Sequence, residues 1–255
     1  NYIYVVYFLL IFLLGFLSDL TSVSANKRLA LLSLITILFV YLSSNNITDL
    51  KFNILNDLFN EYFILSIIFT ALCLVILING LNFIDGVHGL AILYCIITIL
   101  FLNFYNYQIL GEEIISSFSI KLLPVLIVIF YLNLKEKIFF GDCGAYYLGA
   151  FLGIIIIDQT NIEKMSNPYL YANLLIYPSF EIFFSIFRKL LFKNNPLKPD
   201  QEHLHQLLQQ YFIKTKNSLS RSKILSGLSI NCLIIFFNIL AIIFHNHKFY
   251  LIFNI

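Results

Sequence analysis

Charge is what this sequence has least of. Asp, Glu, Lys and Arg make up 12% of its 255 residues, where a soluble domain carries about 25%. A formal net charge of only +2 is too small to imply a nucleic-acid partner. Its four cysteines (Cys73, Cys95, Cys143, Cys232) are scattered, three of them within apolar runs. That excludes both a disulfide framework and a zinc-ligand spacing. Internal repeats and low-complexity linkers are lacking too, so residues 1–255 are read as a single domain. The chain also lacks an initial Met and opens at Asn1 inside an apolar run. The expectation is a fragment whose N-terminal helices are missing, not one that starts with a signal peptide.

What the sequence has instead is apolar length. Hydrophobic residues make up 60% and mean hydropathy is +0.86. The apolar residues gather in blocks near 1–17, 29–44, 62–81, 90–104, 119–133, 145–158, 168–192 and 222–244, with another start at 249. A membrane span takes about 20 residues, or about 17 at the short end. Backbone groups in lipid must be satisfied internally, so the blocks are expected to be helices. The fold expected is all-α: a polytopic membrane bundle of about 8–9 transmembrane helices.

Alternating crossings put 18–28, 79–89, 134–144 and 188–223 on one side of the membrane. That side holds every Lys and Arg of the sixteen except Lys51, Lys121, Lys164 and Lys248. By the positive-inside bias it is the cytoplasmic side. The same assignment gathers Asp19, Asp85, Asp142, His203 and His205 there.

Four polar clusters carry the chemistry. In "NGLNFIDGVHGLA" (79–91), Asn79, Asn82 and Asp85 are three apart and share one broad helical face. An ionisable group at such a site is costly unless paired, hydrated or bound to a ligand. Asp85 alone equally suits a polar helix end at the interface; the two amides beside it favour a head-group or nucleotide site. In "KIFFGDCGAYYLG" (137–149), Asp142 stands between Gly141 and Gly144 just before a new apolar helix. The helix start favours anions, and a carboxylate there suits Mg²⁺, which binds through one or two carboxylates plus phosphate oxygens. Lys137 offers a charge for phosphate, and Phe139 and Phe140 a face for a base. The simpler alternative is an Asp that caps the next helix.

The third cluster, "GFLSDLTSVSANKRL" (15–29), is weaker, since an acidic residue such as Asp19 in a turn is usually just solvated. The fourth is "NNPLKPDQEHLHQLLQQYF" (194–212). Pro196 and Pro199 mark a loop, and Asp200 is placed to cap a helix beginning near Gln201. Leu204, Leu207, Leu208 and Tyr211 form its apolar stripe, so residues 188–221 are expected to be a cytoplasmic loop with an amphipathic interfacial helix. His203 and His205 lie two apart, which argues against a two-His metal site on one helix face and for a pair reaching phosphate or a proton. Glu181 lies inside an apolar helix with Ser185 and Arg188 on its face, and pairing with Arg188 or another helix is expected. His245 and His247 are read as interfacial residues without a role.

The ordered set "SDL…KRL", "NGLNFIDGVHGLA", "KIFFGDCGAYYLG", "YPSFEIFFSIFRK" and "PDQEHLHQLL" resembles the polyprenyl-phosphate N-acetylhexosamine-1-phosphate transferases. The last two segments are most similar to the branch that starts O-antigen-like surface glycans. The resemblance implies an enzyme of the bacterial inner membrane, its site facing the cytoplasm. It would move N-acetylhexosamine-1-phosphate from a UDP-sugar to polyprenyl (undecaprenyl) phosphate and release UMP. It further implies Mg²⁺, with Mn²⁺ as a substitute, at Asp142 and Asp19, and Asp85 as a third catalytic carboxylate. Asn79, Asn82, Gly86, His88, Lys137, Phe139, Arg188, His203 and His205 would contact the substrates. Within that set the Asn82–Asp85 motif matches the nucleotide side, Phe139 a uracil-stacking position, and the two histidines a motif near the diphosphate. Membrane lipids are the surroundings, and a homodimer is a further expectation.

The chain departs from the family at three positions. Ser18 stands where the first member of an Asp pair is expected, His88 where "DG.DG" has its second Asp, and Gln206 where many members have His. Two other readings follow. One is a relative that binds nucleotide-sugar or lipid without turnover. The other is a transporter, motivated by Glu181 and by broken helices.

Overall fold

A computed structural model describes residues 2–21, 23–107, 116–162, 167–193 and 202–245. Among these, all the regular structure is helical: α1 (Tyr2–Leu20), α2 (Ala25–Ser43), α3 (Asn53–Glu61), α4 (Phe63–Ile84), α5 (Leu90–Tyr105), α6 (Ser116–Leu134), α7 (Gly141–Ile162), α8 (Pro168–Leu174), α9 (Ile176–Leu191), α10 (Leu204–Lys214) and α11 (Leu219–Ile243). Each of the eight apolar blocks forms a helix or a helix pair. Helices α1, α2, α4, α7 and α11 are long and apolar enough to cross a membrane; α8 and α9 qualify together, bent by 72°. The apolar helices α5 and 119–134 of α6 are shorter. Residues 249 onward, Lys164, Lys198, Lys248, His247, Pro196, Pro199, Asp200 and Gln201 lie outside the described residues.

The break between α8 and α9 has a local cause. Pro178 has no N–H to give the carbonyl of Leu174, and its ring crowds that oxygen. The stranded carbonyl instead accepts from the hydroxyl of Tyr94 at 2.8 Å, in a fully buried setting. A polar backbone group deep in an apolar bundle is thereby satisfied, as lipid surroundings require.

Helix α4 is central, packing against α2, α7 and α9, and α7 packs along α1. The core combines Leu77, Leu81 and Ile84 of α4, much of α5, and Leu148, Phe151 and Leu152 of α7. Gly15 brings α1 and α7 so close that a Cβ there would stand 2.6 Å from Cys143 Cα. Small residues at such crossings let helix backbones approach where lipid gives no hydrophobic drive. The outer faces of α1 and α2 expose Val5, Leu9, Phe12, Phe16, Leu31 and Leu38, as lipid-facing helices do.

Three local differences from the sequence expectation stand out. Helix α3 was not foreseen: it is short, with Phe59 packed on Phe69 and Ile54 and Leu58 exposed. Helix α7 starts at Gly141, so Asp142 sits in its first turn, not in a preceding loop. Helix α10 starts at Leu204, three residues later than expected, because His203 serves as its N-cap and its N–H meets Gln206 Oε1 at 3.4 Å. Leu204, Leu207 and Tyr211 of the expected stripe are exposed, while Leu208 packs toward the core and α10 lies along α11.

Candidate active site

The start of α7 is the meeting point of residues that are far apart in the chain. Gly141 enters the helix at φ +70°, a conformation that glycine adopts without strain. The N–H groups that every helix start leaves open are taken by the protein's own carboxylates. Gly141 N–H donates to Asp85 Oδ2 at 3.1 Å, Asp142 N–H to Asp19 Oδ1 at 2.9 Å, and Cys143 N–H to Asp19 Oδ2 at 3.0 Å. A Cβ on Gly141 would stand 2.9 Å from Asp19 Oδ2. The expected anion site at this helix start is therefore filled from within the chain.

Asp142 points the other way, into a second set of donors. Asn82 Nδ2 donates to its Oδ1 at 2.7 Å. Its Oδ2 accepts from Ser18 Oγ at 2.5 Å and from Arg28 Nη1, which also donates to Ser18 Oγ at 2.7 Å. Three carboxylates thus surround one short backbone segment, with one guanidinium among them. Burial pushes the Asp85 carboxyl up to about 7; the Gly141 N–H draws it back, and the charges of Asp142 and Asp19 push it up further.

A second cluster adjoins the first. Glu181, buried in α9, accepts from Tyr177 Oη at 3.0 Å and from Leu204 N–H at 3.2 Å, and its Oε2 bonds His203 Nδ1 at 3.0 Å. Glu181 thus pairs with the histidine loop, while Arg188 pairs with Glu202 at 3.2 Å and lies over the Phe184 ring. The rings of His203 and His205 stack at 5.6 Å. His205 is buried, and among the described residues neither of its ring nitrogens has a hydrogen-bond partner; its Nε2 would stand 2.4 Å from a Cβ on Gly86. Glycine at 86 therefore admits the imidazole beside Asp85. Burial holds His205 down at about 4; the Glu181 charge opposes that shift and His203 adds to it.

The remaining candidates are spread around this centre. Asn79 gives its amide to the Val75 carbonyl one turn below, at 2.8 Å, so it faces its own helix. His88 is buried, 3.6 Å from Glu136 and with its ring 6.4 Å from that of Phe139. Burial and the charge of Lys223 hold its imidazole below the ordinary value, with Glu136 opposing. Lys137 is exposed and Phe139 is 82% exposed, so both stand open at the rim. Asn133 fixes that rim: it accepts from Gly89 N–H at 2.7 Å and donates to the Ile138 carbonyl at 3.2 Å.

Arg28, Glu181 and Asn133 are residues that sequence reasoning did not place at the site, and Ser18 was placed only as a departure from an expected Asp. For Arg28 a signal existed, since a cation follows Asp19 in the same polar turn between two apolar blocks.

Among the described residues no three His, Cys, Asp or Glu side chains form a ready metal cage. Mg²⁺ does not need one, because it takes one or two carboxylates and completes its shell with water and phosphate oxygens. Asp142 and Asp19 are hard oxygen donors on either side of the α7 start, and they fit that requirement. The site lies where α1 and α4 end and α2 and α7 begin.

Comparison with known proteins makes this specific. Residues 2–160 match the family model for glycosyl transferase family 4, more than half of the chain, and the chain belongs to that family. An undecaprenyl-phosphate alpha-N-acetylglucosaminyl 1-phosphate transferase of Thermotoga maritima is 27% identical over 245 residues, 95% of this chain and 69% of that protein. A probable undecaprenyl-phosphate N-acetylglucosaminyl 1-phosphate transferase of Bacillus subtilis is 28% identical over 158 residues, 59% of this chain and 42% of that protein. A phospho-N-acetylmuramoyl-pentapeptide-transferase of Dictyoglomus thermophilum is 26% identical over 198 residues, 72% of this chain and 62% of that protein. The chain therefore spans only part of the length of each of these relatives.

Proposed function

We propose that this chain transfers N-acetylhexosamine-1-phosphate from a UDP-sugar to a polyprenyl phosphate. An oxygen of the lipid phosphate attacks the β-phosphorus of the donor, the bond from that phosphorus to the bridging oxygen breaks, and UMP leaves. The product is a polyprenyl-diphospho-sugar that begins a lipid-linked cell-envelope glycan. The observation that carries this reading is the convergence of Asp19, Asp85, Asn82 and Asp142 on the first turn of α7. The names of the relatives point the same way.

Phosphoryl transfer mainly needs positioning and neutralisation of charge. A phosphate monoester is already largely ionised near neutral pH, so no strong base is required. Asp142 and Asp19 would hold Mg²⁺, or Mn²⁺ in its place; when bound, the ion supplies neutralisation of the donor diphosphate. Asn82 orients Asp142, and Asp19 anchors the helix start. Phe139, open at the rim, suits stacking on uracil, with Lys137 beside it for phosphate. His203, held by Glu181, and His205, stacked on it, suit the diphosphate. The polar clusters would face the cytoplasm of a bacterial inner membrane, with α10 in the interface. The O-antigen-initiating branch and a homodimer are further parts of this reading.

The test is UMP release from membranes supplied with UDP-N-acetylglucosamine and undecaprenyl phosphate. Asp142→Asn is expected to abolish it, and full activity in that variant would remove Asp142 from the proposed metal site. A second reading, a relative impaired in turnover, is favoured by one observation: Ser18 binds Asp142 where an Asp pair would be expected. A large gain in turnover from Ser18→Asp would support it.

A further inference from the structure

The carboxylate proposed to take the metal is already neutralised from within the chain. Asp142 Oδ2 accepts from both Arg28 and Ser18, and Ser18 Oγ in turn holds the same guanidinium nitrogen at 2.7 Å. The pair is half-open to its surroundings, with 29% of the Arg28 side chain and 21% of the Asp142 side chain exposed. Arg28 Nε is buried and, among the described residues, has no hydrogen-bond partner. The planar fork therefore has a donor to spare and room to move, whereas Asp142 is fixed by Asn82 through its other oxygen.

A divalent cation and a guanidinium at contact distance on one carboxylate oxygen repel each other, and more strongly in a partly desolvated site than in water. Ser18 is neutral, so position 18 offers the guanidinium no anion to retreat to. Asp19 and Asp85 are already taken up by the N–H groups of the α7 start, and the planar guanidinium matches phosphate oxygens well. We propose that Arg28 and the divalent cation compete for Asp142 Oδ2, and that the displaced Arg28 turns to a phosphate oxygen of the substrate. The inference rests on the phosphotransfer reading above, with Asp142 as a metal ligand.

The competition predicts a sign opposite to that of a merely structural role. Mn²⁺ binding to the purified, detergent-solubilised full chain is followed by the electron paramagnetic resonance signal of the free ion. Without nucleotide, Arg28→Gln is expected to bind Mn²⁺ about tenfold more tightly than the unaltered chain, because one opposing charge is gone. Ser18→Ala, which removes the hydroxyl that holds Arg28 in place, is expected to tighten binding by a smaller factor and serves if Arg28→Gln does not fold. Unchanged or weaker Mn²⁺ binding in these variants overturns the competition, and the Asp142 metal reading stands if the unaltered chain still binds. No Mn²⁺ binding in any of the three removes the metal reading and the competition with it. With Mn²⁺ saturating, UDP is expected to bind Arg28→Gln several-fold more weakly than Arg28→Lys. Equal UDP affinity overturns the handover to phosphate.

Discussion

Helix α7 carries a carboxylate near each end, about 24 Å apart at 1.5 Å per residue, and antiparallel α1 meets both. At one end Asp158 accepts from Tyr4 Oη at 3.3 Å and from Asn45 Nδ2 at 2.6 Å, and Asn161 completes the set by donating to Asn45 Oδ1 at 2.9 Å. Among the described residues its partners are neutral side chains, and they bond one another as well. At the other end Asp142 lies in a helix turn whose N–H groups hold Asp19 of α1 and Asp85 at the end of α4, and a guanidinium is drawn in among the three carboxylates. The first arrangement ties helices together. The second concentrates like charge, which costs stability unless a cation or ligand offsets it. The same helix thus carries one carboxylate closed into a neutral network and one in the charged cluster proposed as the active site.

The largest expected effect separates these two ends directly. Asp142→Asn should lower UMP release by at least about a hundredfold, the scale on which loss of a charge-stabilising group acts, whereas Asp158→Asn should stay within a few-fold of the unaltered chain. Equal losses from the two substitutions would erase the distinction. Next comes the histidine loop: Glu181→Gln should cost about tenfold in turnover and change its pH profile, since the carboxylate sets the orientation of His203. An unchanged profile would leave Glu181 a packing residue.

A smaller effect concerns acid. In the folded protein His205 stays neutral down to about 4, while an unfolded chain protonates it near an ordinary value of about 6.5. The folded value is the lower one, so the unfolded state binds more protons in between. Stability should therefore fall as pH drops from about 6.5 toward 4. His205→Gln should flatten that slope in thermal unfolding measured in detergent; an identical slope would count against it. The smallest effect is expected at the closed end. Tyr4→Phe should cost about 1 kcal/mol of stability, one hydrogen bond's worth, seen as a lower unfolding temperature with UMP release unchanged.

The sequence by itself determined the architecture. Eight apolar blocks are a composition signal that survives any packing, because a backbone in lipid has only the helix to satisfy it locally. It also picked out the polar segments, since Asp19, Asp85 and Asp142 interrupt apolar runs where little else is polar. Only the tertiary structure decided what those residues touch. That Asp19 caps α7 across 123 positions, that Arg28 reaches Asp142, and that Glu181 pairs with His203 at the start of α10 and not with Arg188 follow from how distant helices pack. Helix α3 escaped notice because nine residues are too few for a clear period. The start of α10 moved because a cap is set by one hydrogen-bond geometry. Hydrophobic pattern is local and survives in one dimension, whereas a pairing of charges exists only once distant helices have been brought together.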